Sequence, residues 1–176
     1  MPAYICNAAD GTVSVINTIT NEAGVPVPVG RAPQGVAVAP DGLHIYVTIT
    51  IGNIVSIIDQ FTNTVSATVT VGEGPLGVAV SPDGERVYVA NRISGTVSVI
   101  DTATNTVSTT VDGFSTPLGV AVTPDGGSVY VTDEDGAVWI FKTDTNAEPV
   151  PVPGEFDKPV SLAASPNGYF VYVANY

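Results

Sequence analysis

Gly77-Val78-Ala79-Val80-Ser81-Pro82-Asp83-Gly84, followed one residue later by Arg86-Val87-Tyr88-Val89-Ala90-Asn91, spells a strand, a tight turn and a returning strand. Proline presets φ in such a turn, and glycine accepts the positive φ that closes it. The same string recurs along the chain. Pro40, Pro82, Pro124 and Pro166 stand 42 residues apart, and Tyr4, Tyr46, Tyr88, Tyr130 and Tyr172 keep the same step. Gly35, Gly77 and Gly119 do so too, with Ser161 in the last place. A fixed period of this length means one supersecondary unit copied in tandem.

The remainder of the unit is equally readable. Thr96-Val97-Ser98-Val99-Ile100-Asp101 is a third strand rich in β-branched residues, and Thr106 to Val111 is a fourth. Between them Asn105, like Asn21, Asn63 and Asn146, occupies the turn position that must accept a left-handed backbone. With no helical periodicity and leucine only at 43, 76, 118 and 162, the chain is all-β. Four short antiparallel strands per 42-residue unit point to a β-propeller of four-stranded blades, with four repeats in one domain over residues 1–176.

The order of strands within a blade is predicted from glycine and proline. Gly77-Val78-Ala79-Val80 has one thin face, suited to the crowded axis. Pro26 and Pro28, and again Pro149, Pro151 and Pro153, are two residues apart in fourth strands. Residues so spaced aim their N–H groups to one side, so these prolines remove donors along a single edge, which places the fourth strand at the solvent rim.

Tyr88-Val89-Ala90-Asn91, Tyr172-Val173-Ala174-Asn175 and Tyr4-Ile5-Cys6-Asn7, with Gly77 to Gly84 and Val97-Ser98-Val99-Ile100-Asp101, resemble the YVTN repeat β-propeller family over essentially the whole chain. The resemblance implies a propeller and an extracellular or cell-surface setting, since members include surface-layer, secreted and periplasmic proteins. Ile49 and Asp133 stand where the motif has asparagine.

Composition limits the partners. The chain carries a net charge of −12, and Arg31, Arg86, Arg92, Lys142 and Lys158 are too few and scattered to displace counterions from phosphates, which excludes nucleic acid. No apolar run is long enough for a membrane helix, and Met1-Pro2-Ala3-Tyr4 lacks the features of a signal peptide, so no membrane insertion is expected. Cys6 is the single cysteine and reads as a buried, inert thiol.

The chain opens on a Tyr strand and ends on the equivalent one four periods later. The last inner strand, at Leu162, is suited to completing the blade that begins at Tyr4, in the same chain or another. Four slim blades close a ring poorly, so a two-fold homodimer with eight blades is expected ahead of a four-blade monomer or an open piece of a seven-blade parent.

One end of the propeller carries near-identical Pro-Asp-Gly and Thr-Asn turns, which account for Asp41, Asp83 and Asp125 by turn chemistry. The loops at the other end differ from unit to unit, and variable loops on a rigid scaffold are where binding resides. Arg31, Gln34, Glu73, Arg92, Asp157 and Lys158 are therefore the candidates for a ligand or protein partner. Asp133 and Asp135 offer oxygens of the kind calcium takes, without the longer ligand series of a dedicated loop. His44 is the only histidine and reads as a surface residue. No catalytic set and no cofactor are expected. The reading is a non-enzymatic binding or structural scaffold, with a propeller lyase or dehydrogenase, or an excised half-propeller without a function of its own, as alternatives.

Overall fold

Each repeat folds as an antiparallel meander because its strands are joined by turns too short for any other pairing. The computed structural model describes residues 2–176. The first sheet holds β1 (Ala3–Asn7), β2 (Thr12–Asn17), β3 (Glu22–Ala23) and β4 (Val27–Pro28); the second, β5 (Pro33–Val38), β6 (His44–Ile49), β7 (Ile54–Asp59) and β8 (Thr64–Thr70). The third comprises β9 (Pro75–Val80), β10 (Arg86–Asn91), β11 (Thr96–Asp101) and β12 (Thr106–Val111), and the fourth β13 (Pro117–Val122), β14 (Ser128–Asp133), β15 (Ala137–Lys142) and β16 (Val150–Pro151). A two-stranded sheet of β17 (Pro159–Ala164) and β18 (Val171–Asn175) ends the chain.

The sheets fan outward from their glycine-bearing strands. β5, β9, β13 and β17 pack one against the next, whereas the outer strands meet only lightly. The glycines permit this approach. A Cβ at Gly77 would lie 2.5 Å from the carbonyl oxygen of Leu118 and 2.9 Å from the Cα of Gly119, both in the next sheet; at Gly35 it would collide with the carbonyl of Leu76. Thr48 Oγ1 donates to that same Leu76 carbonyl (2.7 Å) and Thr50 Oγ1 to the carbonyl of Pro75 (2.8 Å), stitching the second sheet to the third.

The core lies in the seams between sheets. Tyr46, Val55 and Ile57 of the second sheet pack on Val87, Val89 and Ile100 of the third, and Tyr88, Val97 and Val99 on Val129, Val131 and Phe141 of the fourth. Wherever two sheets are neighbours, the Tyr face of one thus meets the Val/Ile face of the next.

The proline strands are at the rim. β16 pairs only with β15, and the non-proline Val152 donates its N–H inward to the carbonyl of Val138 (2.8 Å), as the spacing required. In the first sheet the outer strand is broken in two. Gly24 still donates to Val15, the chain then swings away at Val25-Pro26, and Val27 rejoins opposite Val13.

Two features depart from a uniform repeat. The turn between β14 and β15 is one residue shorter than its counterparts, so Trp139 opposes Val131 where Ser98 opposes Val89. The fan is also open: β17 pairs with β18, and no ladder among the described residues joins either strand to β1. Leu162 therefore does not complete the blade of Tyr4 within the chain.

Asn21, Asn63, Asn105 and Asn146 have φ of 59°, 51°, 53° and 45°, the left-handed values expected of them. The turn carboxylates accept amides: Asp41 Oδ1 from Leu43 (2.7 Å), Asp83 Oδ1 from Glu85 (2.9 Å), Asp125 Oδ1 from Gly127 (2.9 Å) and Asp101 Oδ1 from Thr104 (2.9 Å). These bonds favour the ionised form. The hydroxyls of Ser81 and Thr123 hold Asp83 and Asp125 below the usual carboxylate range, and the amides of Thr62 and Thr104 do the same for Asp59 and Asp101. For Asp41 burial acts upward but is outweighed by the Leu43 amide and by His44.

Position 172 and position 88 give a direct test of the seam. Tyr88 is 0% exposed and Tyr172 is 66% exposed, although they are the same residue of the repeat. In urea unfolding at a dilution that keeps the chain monomeric, Tyr88→Ala should cost about 3–5 kcal/mol, and Tyr172→Ala less than about 0.5 kcal/mol; equal losses would contradict the seam assignment. The turn carboxylates yield a pH prediction. Their folded pKa values are lowered, so their stabilisation is complete above the unfolded value of about 3.9 and disappears as pH falls through the lower folded values. Measured in high salt to screen the net charge, the urea midpoint should hold to about pH 5 and drop below about pH 4. Replacing Asp83, Asp101 and Asp125 with asparagine should flatten that drop.

Candidate functional site

The variable end is built from the turns between second and third strands and the loops that lead into the inner strands. One backbone bond recurs there in each sheet that has an inner strand: the N–H of Thr50, Arg92, Glu134 and Tyr176 donates to the carbonyl of Ala32, Gly74, Thr116 and Lys158 respectively (3.2, 3.0, 3.1 and 3.1 Å). Ala32, Gly74 and Lys158 meet this constraint at φ of 56°, 65° and 47°, so two of the three bear a Cβ in a left-handed conformation.

The motif asparagine proves to be part of the frame. Asn7 Nδ2 donates to Thr12 Oγ1 (3.0 Å) and Ser14 Oγ (2.8 Å), and Asn91 Nδ2 to Thr96 Oγ1 (3.0 Å) and Ser98 Oγ (2.9 Å), clasping the start of the third strand. Where the asparagine is absent, its partners change too. Opposite Ile49 stands Ile54, and Ser56 Oγ donates instead to the carbonyl of Val29 (2.9 Å). With Asp133 comes Trp139, packed edge-on against Phe114 at 6.4 Å.

This rearrangement removes Asp133 from the metal candidates. It is 1% exposed, and its carboxylate accepts the N–H groups of Ser115 (2.8 Å) and Thr116 (2.9 Å) and the Thr116 hydroxyl (3.1 Å). Asp135 points into solvent at the turn, and among the described residues no three His, Cys, Asp or Glu side chains converge. A buried carboxylate spent on two backbone amides is a loop clamp.

The structure brings one of the charged candidates into a pair. Arg92 reaches from the third sheet to the fourth, where Nη2 and Nε both donate to Glu134 Oε2 (2.6 and 3.1 Å). Half-exposed, such a pair orients its side chains but adds only about 0–1 kcal/mol. Arg31 lines a cleft of about 160 Å³ with Asp10 and Ile51, between the first two sheets. Glu73 is exposed, and its amide donates to Ser94 Oγ (2.7 Å). Gln34 lies exposed on β5, and Asp157 and Lys158 are exposed on the loop before β17. Sequence reasoning missed the apolar tips beside these charges: Ile51 is 63% exposed and Ile93 is 68% exposed, at one repeat position in adjacent blades. Their 42-residue spacing was visible; their exposure was not.

The other end is plainer. His44 Nδ1 lies 2.9 Å from Asp41 Oδ2 at the surface, beside a cleft of about 210 Å³ that Asp83 and Tyr46 also line. A hollow of about 930 Å³ is an open groove at the rim where β3 and β4 part, lined by Ile19, Val25 and Pro26. Burial pushes the Cys6 thiol up to about 11, so it stays protonated and unreactive at neutral pH.

A sequence profile of YNCE-like β-propellers matches residues 42–146, more than half of the chain. The chain belongs to this YNCE-like β-propeller family. Among solved structures it is similar to a chain of Kuenenia stuttgartiensis hydrazine synthase, with a TM-score of 0.74 and 20% identity over 98% of this chain and 70% of that one. At that identity the likeness carries the fold alone. No curated protein matches the chain.

Asp133→Ala strands the amides of Ser115 and Thr116 in a buried loop and should lower stability by about 1–3 kcal/mol in urea unfolding. Asp135→Ala, at the exposed neighbour, should stay within about 0.5 kcal/mol. Equal effects would remove the clamp role.

Proposed function

We propose that this YNCE-like propeller is a non-enzymatic scaffold that binds a protein partner through its variable end and assembles with copies of itself. The observation that carries the reading is the pairing of exposed isoleucine tips, Ile51 and Ile93, with the oriented Arg92–Glu134 pair on hydrogen-bonded turns. Exposed apolar side chains ringed by charge, on backbone that costs little entropy to hold, have the composition of a protein-recognition patch. Arg31, Gln34 and Glu73 extend it toward the first two blades, and Asp157 and Lys158 toward the last.

A displayed random-peptide library tests the reading. Peptides selected on the wild-type chain should lose binding to the double variant Ile51→Asp/Ile93→Asp by tenfold or more, about 1.4 kcal/mol. They should keep it toward Phe61→Asp, which alters an exposed turn at the opposite end. Peptides that ignore the isoleucines, or the absence of any selected peptide, would overturn binding at this end.

A further inference from the structure

The two ends of the fan expose opposite halves of the seam that holds its middle together. On the last sheet one face is bare: Ser161 and Ala163 of β17 with Phe170, Tyr172 and Ala174 at β18 are all exposed, while the alternate residues Leu162, Val171 and Val173 are half-buried on the fourth sheet. The repeat equivalents of Tyr172 and Ala174 in the second and third sheets are covered. Tyr46 and Tyr88 are 3% and 0% exposed, and Thr48 and Ala90, at the place of Ala174, are both 0%. On the first sheet the open face is the other one, where Ala3 and Ile5 are exposed and Ser14 and Ile16 half-buried. Ile5 is 49% exposed, whereas Val47, Val89 and Val131 at its place are all 0%; Ile58 and Ile100, at the place of Ile16, are also 0%. One end therefore presents a Tyr face without its Val/Ile partner, and the other a Val/Ile face without its Tyr.

We propose that the Tyr172 face of β17–β18 docks face-on against the Ile5 face of β1–β2 in a second copy, reproducing the seam by which Tyr46 packs on Val87, Val89 and Ile100. This deepens the self-assembly in the reading above and is independent of the binding end. Ala3, Ile5 and Ile16 are the repeat equivalents of Val87, Val89 and Ile100, so the contact that buries Tyr46 is available to Tyr172 residue for residue.

Ser161 fits the same contact. At Gly35, Gly77 and Gly119 the next inner strand presses too close for a side chain. The sheet of β1 to β4 has no inner strand, so a second copy docked there brings nothing against Ser161. Face-on docking also leaves the β17–β18 ladder intact, which insertion of β17 beside a partner's β1 would disturb.

The contact is heterologous, two different faces meeting. Two of them around a two-fold close a dimer, and the same contact propagates if the turn does not close. The net charge of −12 opposes it, so salt strengthens it.

Sedimentation and light scattering of the 176-residue chain across a wide concentration range in moderate salt should give a mass of at least twice the 18.0 kDa of one chain. Tyr172→Arg and Ile5→Arg, both at exposed positions and each checked for an unchanged far-UV spectrum, should each abolish assembly. An equimolar mixture of the two variants should restore a heterodimer, because one retains a sound Ile5 face and the other a sound Tyr172 face. A wild-type monomer at every concentration overturns the proposal. So does assembly that ignores either substitution, or variants that fail to rescue each other. Failure here leaves the peptide selection at the variable end unaffected, and the converse holds.

Discussion

The fan rests on the close approach of one inner strand to the next. At Gly77 the absence of a Cβ lets the carbonyl of Leu118 come near enough that two sheets share a single seam. From that contact the remainder follows outward. Because inner strands touch and outer strands splay, the Tyr face of one sheet meets the Val/Ile face of its neighbour over the second and third strands, where Tyr88, Val89 and Ile100 lose all contact with water. The rim is left to strands that bury little, and proline is tolerated there because its missing donor faces solvent.

A core that lies between sheets instead of within a closed shell has a consequence for the ends. Each internal blade is buried on both faces by neighbours of its own kind, and an end blade on one face only. The exposure of Tyr172 and Ile5 expresses this arithmetic, since nothing in their own sequence distinguishes them from buried equivalents. The same modularity frees the turns. Hydrogen bonds common to each sheet that has an inner strand hold the variable end in place, so its side chains can change from Thr50-Ile51 to Arg92-Ile93 to Glu134-Asp135 without disturbing the seams.

Much of the fold was legible in the residues. Proline two residues apart placed the fourth strand at an edge, and Val152 donating inward shows why that inference works: spacing of two is a statement about direction. Asparagine before a third-to-fourth-strand junction correctly announced a left-handed turn, because few other side chains accept that backbone. The site was less legible. Asp133 in a run of three acids looked like a ligand, and only the fold turned it inward onto Ser115 and Thr116, where its charge is consumed. The role of the motif asparagine was not legible in the sequence; at Asn91 it is a clasp for Thr96 and Ser98.

The residues by themselves determined the repeat, the strand order within each blade and the turn chemistry, because these depend on backbone propensities and spacings within 42 residues. Only the tertiary structure decided which faces stay bare, which acid is buried, which arginine finds a carboxylate across a seam, and that β17 leaves the fan open. Those outcomes depend on contacts between residues a full repeat or more apart, and a local pattern that is identical in every unit carries no information about whether a neighbour is present.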